Sequence, residues 1–183
     1  MKLSLASIAL DSLDDLRQDT LLLDHFLEDR PLVSLTGHVD WRMNGRLSRH
    51  VLKDWAIGRE VDVVLMPGGA RMGVHRIVLV GLGHLDEFDL VRYKNAIRRG
   101  LEALVGMQVT RFATALPGLR ALKTPPRKAI DAWLEVFEEV CVSKATGAKA
   151  FDVTFVVEAD QIGEFTDPLG AFEARYRASE PDS

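Results

Sequence analysis

Apolar positions divide the chain into short blocks whose spacing switches between strand-like and helix-like periods. Leu3 to Leu10 carries leucines, Ile8 and small residues up to the polar pair Asp11-Ser12, and predicts a strand. The next block is ambiguous: Leu13, Leu16, Leu23, Phe26 and Leu27 fall near helical spacing, while Thr20-Leu21-Leu22-Leu23 is short enough for a buried strand. Thr36 to Lys53 predicts one helix, with Val39, Met43 and Leu47 recurring every fourth residue between charges. Glu60 to Met66 partly alternates (Val61, Val63 and Leu65 against Asp62) and reads as a strand closed by Pro67-Gly68-Gly69. Val74 to Leu82 holds the unbroken run Ile77-Val78-Leu79-Val80, the pattern of a strand covered on both faces.

The second half is more regular. Leu90, Tyr93, Ile97, Leu101 and Leu104 define one face of a helix, and Arg92, Asn95, Arg98, Arg99 and Glu102 the other. Val109 to Leu116 predicts a strand closed by Pro117-Gly118. Thr124 is placed to cap a helix entered through Pro125-Pro126, with Ile130, Trp133, Leu134, Phe137 and Cys141 facing inward. Phe151 to Val157 is rich in β-branched and aromatic residues and predicts a strand. Asp167-Pro168 is positioned to open a last helix carrying Leu169, Phe172 and Tyr176. Alternating strands and helices predict a three-layer α/β/α sandwich with a mixed, mostly parallel sheet. We expect one domain over residues 1–178 and a short disordered tail at 179–183.

Composition narrows the function classes. Lysine and arginine total 23 against 27 acidic residues, a formal charge of -4, which weighs against a nucleic-acid binder. The single Cys141 rules out an internal disulfide framework and any multi-cysteine zinc site. No apolar run is long enough to span a bilayer, and Met1-Lys2-Leu3-Ser4 leads into no signal-type apolar region, so the expected location is cytoplasmic, without membrane contact.

Candidate chemistry is sparse. Gly81, Gly83 and His84 follow a strand and precede a helix, where backbone N–H groups can cradle an anion; Asp86 stands where a dinucleotide fingerprint needs its third glycine. His25 with Asp24, and His84 with Asp86, are conceivable acid–base pairs, but the five histidines show no metal-ligand spacing. No serine sits in a nucleophile elbow. Catalytic residues, metal and cofactor are therefore all expected to be none. The remaining feature is basic: Arg42, Arg46, Arg49 and Lys53 share one face of the predicted helix, near Trp41, and form a candidate contact for a partner or an anion. Gly45 within that helix suggests close backbone packing, for which a subunit contact is one source.

Three stretches carry a family resemblance. Arg76-Ile77-Val78-Leu79-Val80-Gly81-Leu82-Gly83, then a helix, then Val109-Thr110-Arg111-Phe112-Ala113-Thr114-Ala115-Leu116-Pro117, resembles the N-terminal domain of M17 leucyl aminopeptidases. Asp19-Thr20-Leu21-Leu22-Leu23-Asp24-His25-Phe26-Leu27-Glu28-Asp29 resembles that family's second strand, which runs into a polar loop, and on this ground Thr20 to Phe26 is taken as a strand. The resemblance implies a macro-domain-like fold. It also implies that peptidase chemistry belongs to a separate metal-binding domain with an N-T-D-A-E-G-R motif, which these 183 residues do not contain. In the macro pattern for ADP-ribose, Asp19 matches the aspartate before the strand, but Leu23 and Phe26 stand where two asparagines belong.

The expected role is a non-catalytic binding or assembly domain acting through self-association or another protein, with nucleic acid a weaker option. In the family this domain helps shape the oligomer. The alternative is a nucleotide or ADP-ribose-like ligand at the strand ends near Gly81, Gly83 and His84. A regulatory partner of a full-length aminopeptidase is a third option, and peptidase activity the least favoured.

Overall fold

Strands β1 (Lys2–Ser7), β2 (Thr20–His25), β3 (Val63–Pro67), β4 (Arg76–Gly81), β5 (Arg111–Thr114) and β6 (Asp152–Val157) form one sheet in the order β1-β6-β5-β2-β4-β3. The structure is a computed structural model and describes residues 1–9, 13–69, 72–143 and 151–177. Every neighbouring pair is parallel except β3 with β4. The expected tail at 179–183, like Leu10 at the end of the first predicted strand, lies outside the described residues.

Helices α1 (Ser34–Arg42) and α2 (Arg46–Leu52) cover one face of the sheet, and α3 (Leu90–Gly106), α4 (Pro126–Phe137) and α5 (Ile162–Arg177) cover the other. The run in β4 is apolar throughout because both faces are covered. Ile77 and Leu79 pack under α1 and α2, while Val78 and Val80 pack under α3 and α4. The α3–α5 side is aromatic: Trp133 stacks on Phe137 at 5.2 Å and meets Phe155 edge-on at 4.6 Å. Cys141 is buried in the short π-helical turn that follows α4, as its apolar surroundings predict. The result is the predicted three-layer α/β/α sandwich with a mixed, mostly parallel sheet. Among the described residues no helix is long and apolar enough to cross a membrane.

Three predicted elements are corrected. The single helix expected over Thr36 to Lys53 is two helices, α1 and α2, broken where Asn44 (φ 54°) and Gly45 (φ 72°) adopt left-handed backbone. A right-handed helix cannot run through that conformation, and glycine adopts it without steric cost. Gly45 is thus explained by the break itself. Asp40 holds the two helices together, accepting from Ser48 N at 3.0 Å and from the Ser48 hydroxyl. The last helix starts at Ile162, and Pro168 lies inside it. Phe165 already belongs to the same buried face as Leu169 and Phe172, so packing outweighs the hydrogen bond that Pro168 cannot donate. Helix α4 takes Pro125 at its cap position with no side-chain cap, so Thr124 is not its cap. The ambiguous second block is strand β2, as the family resemblance indicated.

Candidate functional site

The order of the sheet locates a crevice. The chain leaves β4 through α3 and returns as β5 on the opposite side of β2, so connections diverge at β2. In open α/β sheets ligands occupy the space outside the strand C-termini at such a point. Here that space is a crevice of about 410 Å³ bounded by the segments following β1, β2, β5 and β6. Ile8, Leu35, Leu116, Val157 and Phe165 supply apolar wall, and Asp24, Thr36, Arg120 and Glu158 supply polar groups.

Asp24 faces the crevice from β2. Strand alternation puts it on the same side as Leu22, towards α3 and α4, and turns His25 to the other side. The Asp24 carboxylate Oδ2 accepts the Gly118 N–H at 3.1 Å, and its backbone oxygen accepts the Thr36 hydroxyl at 2.6 Å. Among the described residues nothing donates to Oδ1. Burial pushes the carboxyl up to about 7. The Gly118 N–H and the Arg120 charge oppose that shift, and Asp29 adds to it.

The neighbouring charges are already matched. Arg120 pairs with Asp29 and lies 5.0 Å over the Phe26 ring. The other Asp29 oxygen accepts the Phe26 N–H at 2.9 Å and folds the segment after β2 back on itself. The pair is a neutral unit that joins the segments following β2 and β5 across the crevice.

The predicted ligand residues lie elsewhere. Gly81 ends β4, whose backbone is engaged: Gly81 N donates to Asp62 O (2.8 Å), Leu82 N to His25 O (3.0 Å) and Gly83 N to Gly58 O (2.8 Å). Those N–H groups are not available to an anion. The N-terminus of α3 lies further on and is capped by Asp89, which accepts from Arg92 N at 2.9 Å. His84 is exposed, 2.7 Å from Glu28, and does not line the crevice. Glu28, His84 and Asp86 could together hold a metal ion, their ligand atoms lying within 4.8 Å of one another, all on exposed side chains.

The basic stripe is divided by the helix break. Arg42 lies on α1 and forms a two-point pair with Asp14, its Nε 2.8 Å from Oδ1. Arg46 and Arg49 lie on α2, where Arg49 donates to Asn44 O at 2.7 Å, and Lys53 is the exposed residue ending that helix. His25 is not paired with Asp24. It is buried against Gly58, with its Nδ1 lacking a partner among the described residues, and burial pulls it below the ordinary histidine range.

Asp29, Arg120 and Thr36 carry no motif in the sequence. One signal was present for Asp24: a carboxylate directly after Leu21-Leu22-Leu23, in a run that otherwise reads as buried strand.

A family model described as the cytosol aminopeptidase family, N-terminal domain, matches residues 23–141. The chain belongs to this family. Among solved structures, tomato leucine aminopeptidase aligns over 94% of this chain with 16% identity and a TM-score of 0.63, and the chain spans only 35% of that enzyme. A Trypanosoma brucei macrodomain aligns over 92% of this chain and 67% of its own, with 11% identity and a TM-score of 0.69. A Thermosipho africanus DarTG solved in complex with ADP-ribose aligns over 87% of this chain and 42% of its own, with 10% identity and a TM-score of 0.59. At these identities the structural matches establish the fold alone. No curated protein matches. The aminopeptidase N-terminal domain and the macrodomains thus share one architecture with this chain, and the crevice lies at its strand C-termini.

Proposed function

We propose that this member of the aminopeptidase N-terminal-domain family is a binding domain whose ligand occupies the crevice over Asp24. One observation carries the reading: an apolar-walled space of about 410 Å³ lies at the switch point of the sheet, lined by a carboxyl whose Oδ1 has no donor among the described residues. That volume lies in the usual range for small-molecule sites, and a few polar groups on apolar walls are their common composition. Binding suits the residues better than catalysis. Among the described residues no crevice hydroxyl is hydrogen-bonded to a histidine ring, so no activated nucleophile is assembled.

The DarTG complex makes ADP-ribose one compound to try. The test is nuclear magnetic resonance of the whole chain against nucleotides, ADP-ribose and small organic cations, anions and neutral compounds. Shift changes confined to Thr36, Leu116, Gly118 and Val157 are the expected result. Silence at those residues across the panel would remove the reading.

A second reading, assembly through protein contact, is favoured by large exposed apolar side chains: Trp41 (65% exposed), Leu52 (71%) and Trp55 (71%). Edge strand β3 adds Val63 and Leu65. Light scattering over a range of concentrations tests this reading, and a monomer throughout would exclude self-association.

A further inference from the structure

We propose that the crevice selects a protonated amine carrying an apolar tail, in preference to the phosphate-bearing ligands that its fold suggests. The proposal rests on the crevice being a binding site and specifies its ligand class.

Charge balance carries the argument. Three carboxylates line the space (Asp24, Asp29 and Glu158) against one guanidinium, Arg120. Arg120 and Asp29 neutralise each other, and the second Asp29 oxygen is held by the Phe26 N–H. Among the described residues Asp24 and exposed Glu158 form no ion pair, so a phosphate entering the crevice meets two carboxylates against the single, already paired Arg120.

Hydrogen-bond supply agrees. The Gly118 N–H already donates to Asp24 Oδ2, and the Thr36 hydroxyl to the Asp24 backbone oxygen. Two crevice donors that an anion would use are therefore committed to Asp24. Among the described residues the Ser34 and Thr124 hydroxyls, the Gln161 amide and the first N–H groups of α1 also border the crevice and can donate, whereas the open oxygen of Asp24, Oδ1, can only accept while ionised. An ammonium is a compact group of three donors with no acceptor, and meeting a desolvated carboxylate it makes the stronger, charge-assisted class of hydrogen bond. Ile8, Leu35, Leu116 and Phe165 then give a hydrocarbon tail a surface to leave water against.

The size of the preference follows from the pair. A hydrogen bond to a charged group is worth about twice a neutral one, which places the amine about fivefold ahead of a neutral compound with the same tail.

A head-group series tests this: n-hexylamine, n-hexanol and hexanoate, titrated into the whole chain at about pH 8 and followed by chemical shifts at Leu116, Gly118 and Val157. The expected order is amine, then alcohol, then acid. Asp24→Asn keeps the shape of the side chain and an oxygen to accept from Gly118, and is expected to bring the amine down to the level of the alcohol. Glu158→Gln, at an exposed position that the fold does not depend on, is expected to give a smaller loss of the same sign. Equal binding of amine and alcohol, or preference for hexanoate or ADP-ribose at the same residues, overturns the amine inference and leaves the crevice reading standing. No response at those residues to any of the series, or to the wider panel, overturns both.

Discussion

Two neighbouring strands of the same sheet end in opposite ways. At the end of β4 the segment 58–62 is pressed onto Gly81, and the N–H groups of Gly81, Leu82 and Gly83 all bond to backbone oxygens. At the end of β2 the segments that follow leave a space of about 410 Å³, and the carboxyl of Asp24 borders it with one oxygen that has no donor among the described residues. Gly58 and Gly81 let the backbones meet at the first end, whereas at the second the one lining glycine, Gly118, packs on Phe26 and Phe88 and leaves the crevice open. A Gly-x-Gly at a strand terminus therefore marks a place where backbones approach, which is a different property from a place where a ligand fits. The open space beside Asp24, rather than the glycine pattern, separates the two ends.

The comparison breaks most sharply at Gly81. A Cβ there would overlap the Arg59 carbonyl oxygen and sit 2.6 Å from the Gly58 carbonyl carbon. Both are backbone atoms fixed by the hydrogen bonds of the same loop. Gly81→Ala is therefore expected to destabilise the domain by about 3 kcal/mol, towards the upper end of overpacking costs, in a denaturant titration. If the loop instead moved away at little cost, the two strand ends would differ far less than their contacts imply.

The next effect concerns Asp24 and has a defined sign. Its carboxyl titrates near 7 in the folded chain against 3.8 for the ordinary group, so the native state holds a proton that the unfolded state releases between those values. Stability from this group is greatest below about pH 4, falls as pH rises through the window, and is lowest above about 7. Asp29 and Arg120 face the group from the adjoining loops, and the Tyr93 ring from α3 also feels its charge. Asp24→Asn removes the titration and keeps the acceptor. It is expected to be more stable than wild type by about 1–3 kcal/mol at pH 8, a gap that closes towards pH 4. Thermal unfolding of both proteins across that range checks it, and a constant gap would mean that Asp24 is solvated like a surface carboxylate. His25 titrates in the opposite direction but is common to both proteins and cancels.

Much of the fold was legible because its signals are local. The apolar run of β4, the single face of α3 and the alternating element types each predict their structure without reference to distant residues. Where the reading went wrong, two rules competed. Val39, Met43 and Leu47 do share a buried face, but they do so across a break, because Asp40 bonds to Ser48 over the turn that Asn44 and Gly45 make. Apolar periodicity reports the face and says nothing about whether one helix or two supply it. Pro168 shows the reverse case, a local breaker overridden by the packing of Phe165 and Phe172. The crevice was less legible. Asp24, Asp29, Arg120 and Glu158 come from segments as far apart as residues 24 and 158, and their juxtaposition is a product of strand order. Strand order cannot be obtained from periodicity. The rule that ligands favour strand ends points to the edge of the sheet where the crevice lies, and the glycines drew attention to β4, whose end is closed by backbone hydrogen bonds.

The smallest effect is expected at His84, beside the closed end. Its Nδ1 lies 2.7 Å from Glu28, whose other oxygen accepts the Leu85 N–H at 3.1 Å. The hydrogen bond to Glu28 raises the histidine above its ordinary value, and Glu87 and Asp86 act in the same direction at longer range. Water screens all of these groups, so the pair adjusts protonation without anchoring the fold. Glu28→Gln is expected to move the His84 titration midpoint to lower pH in an NMR titration, with Asp86 and Glu87 retaining part of the shift. The unfolding midpoint should not change measurably, and the response of the crevice residues to n-hexylamine should be the same as in wild type. A fall in stability comparable to that of Gly81→Ala would instead show that Glu28 ties the segment after β2 to the segment after β4, making the open and closed ends of the sheet one mechanical unit.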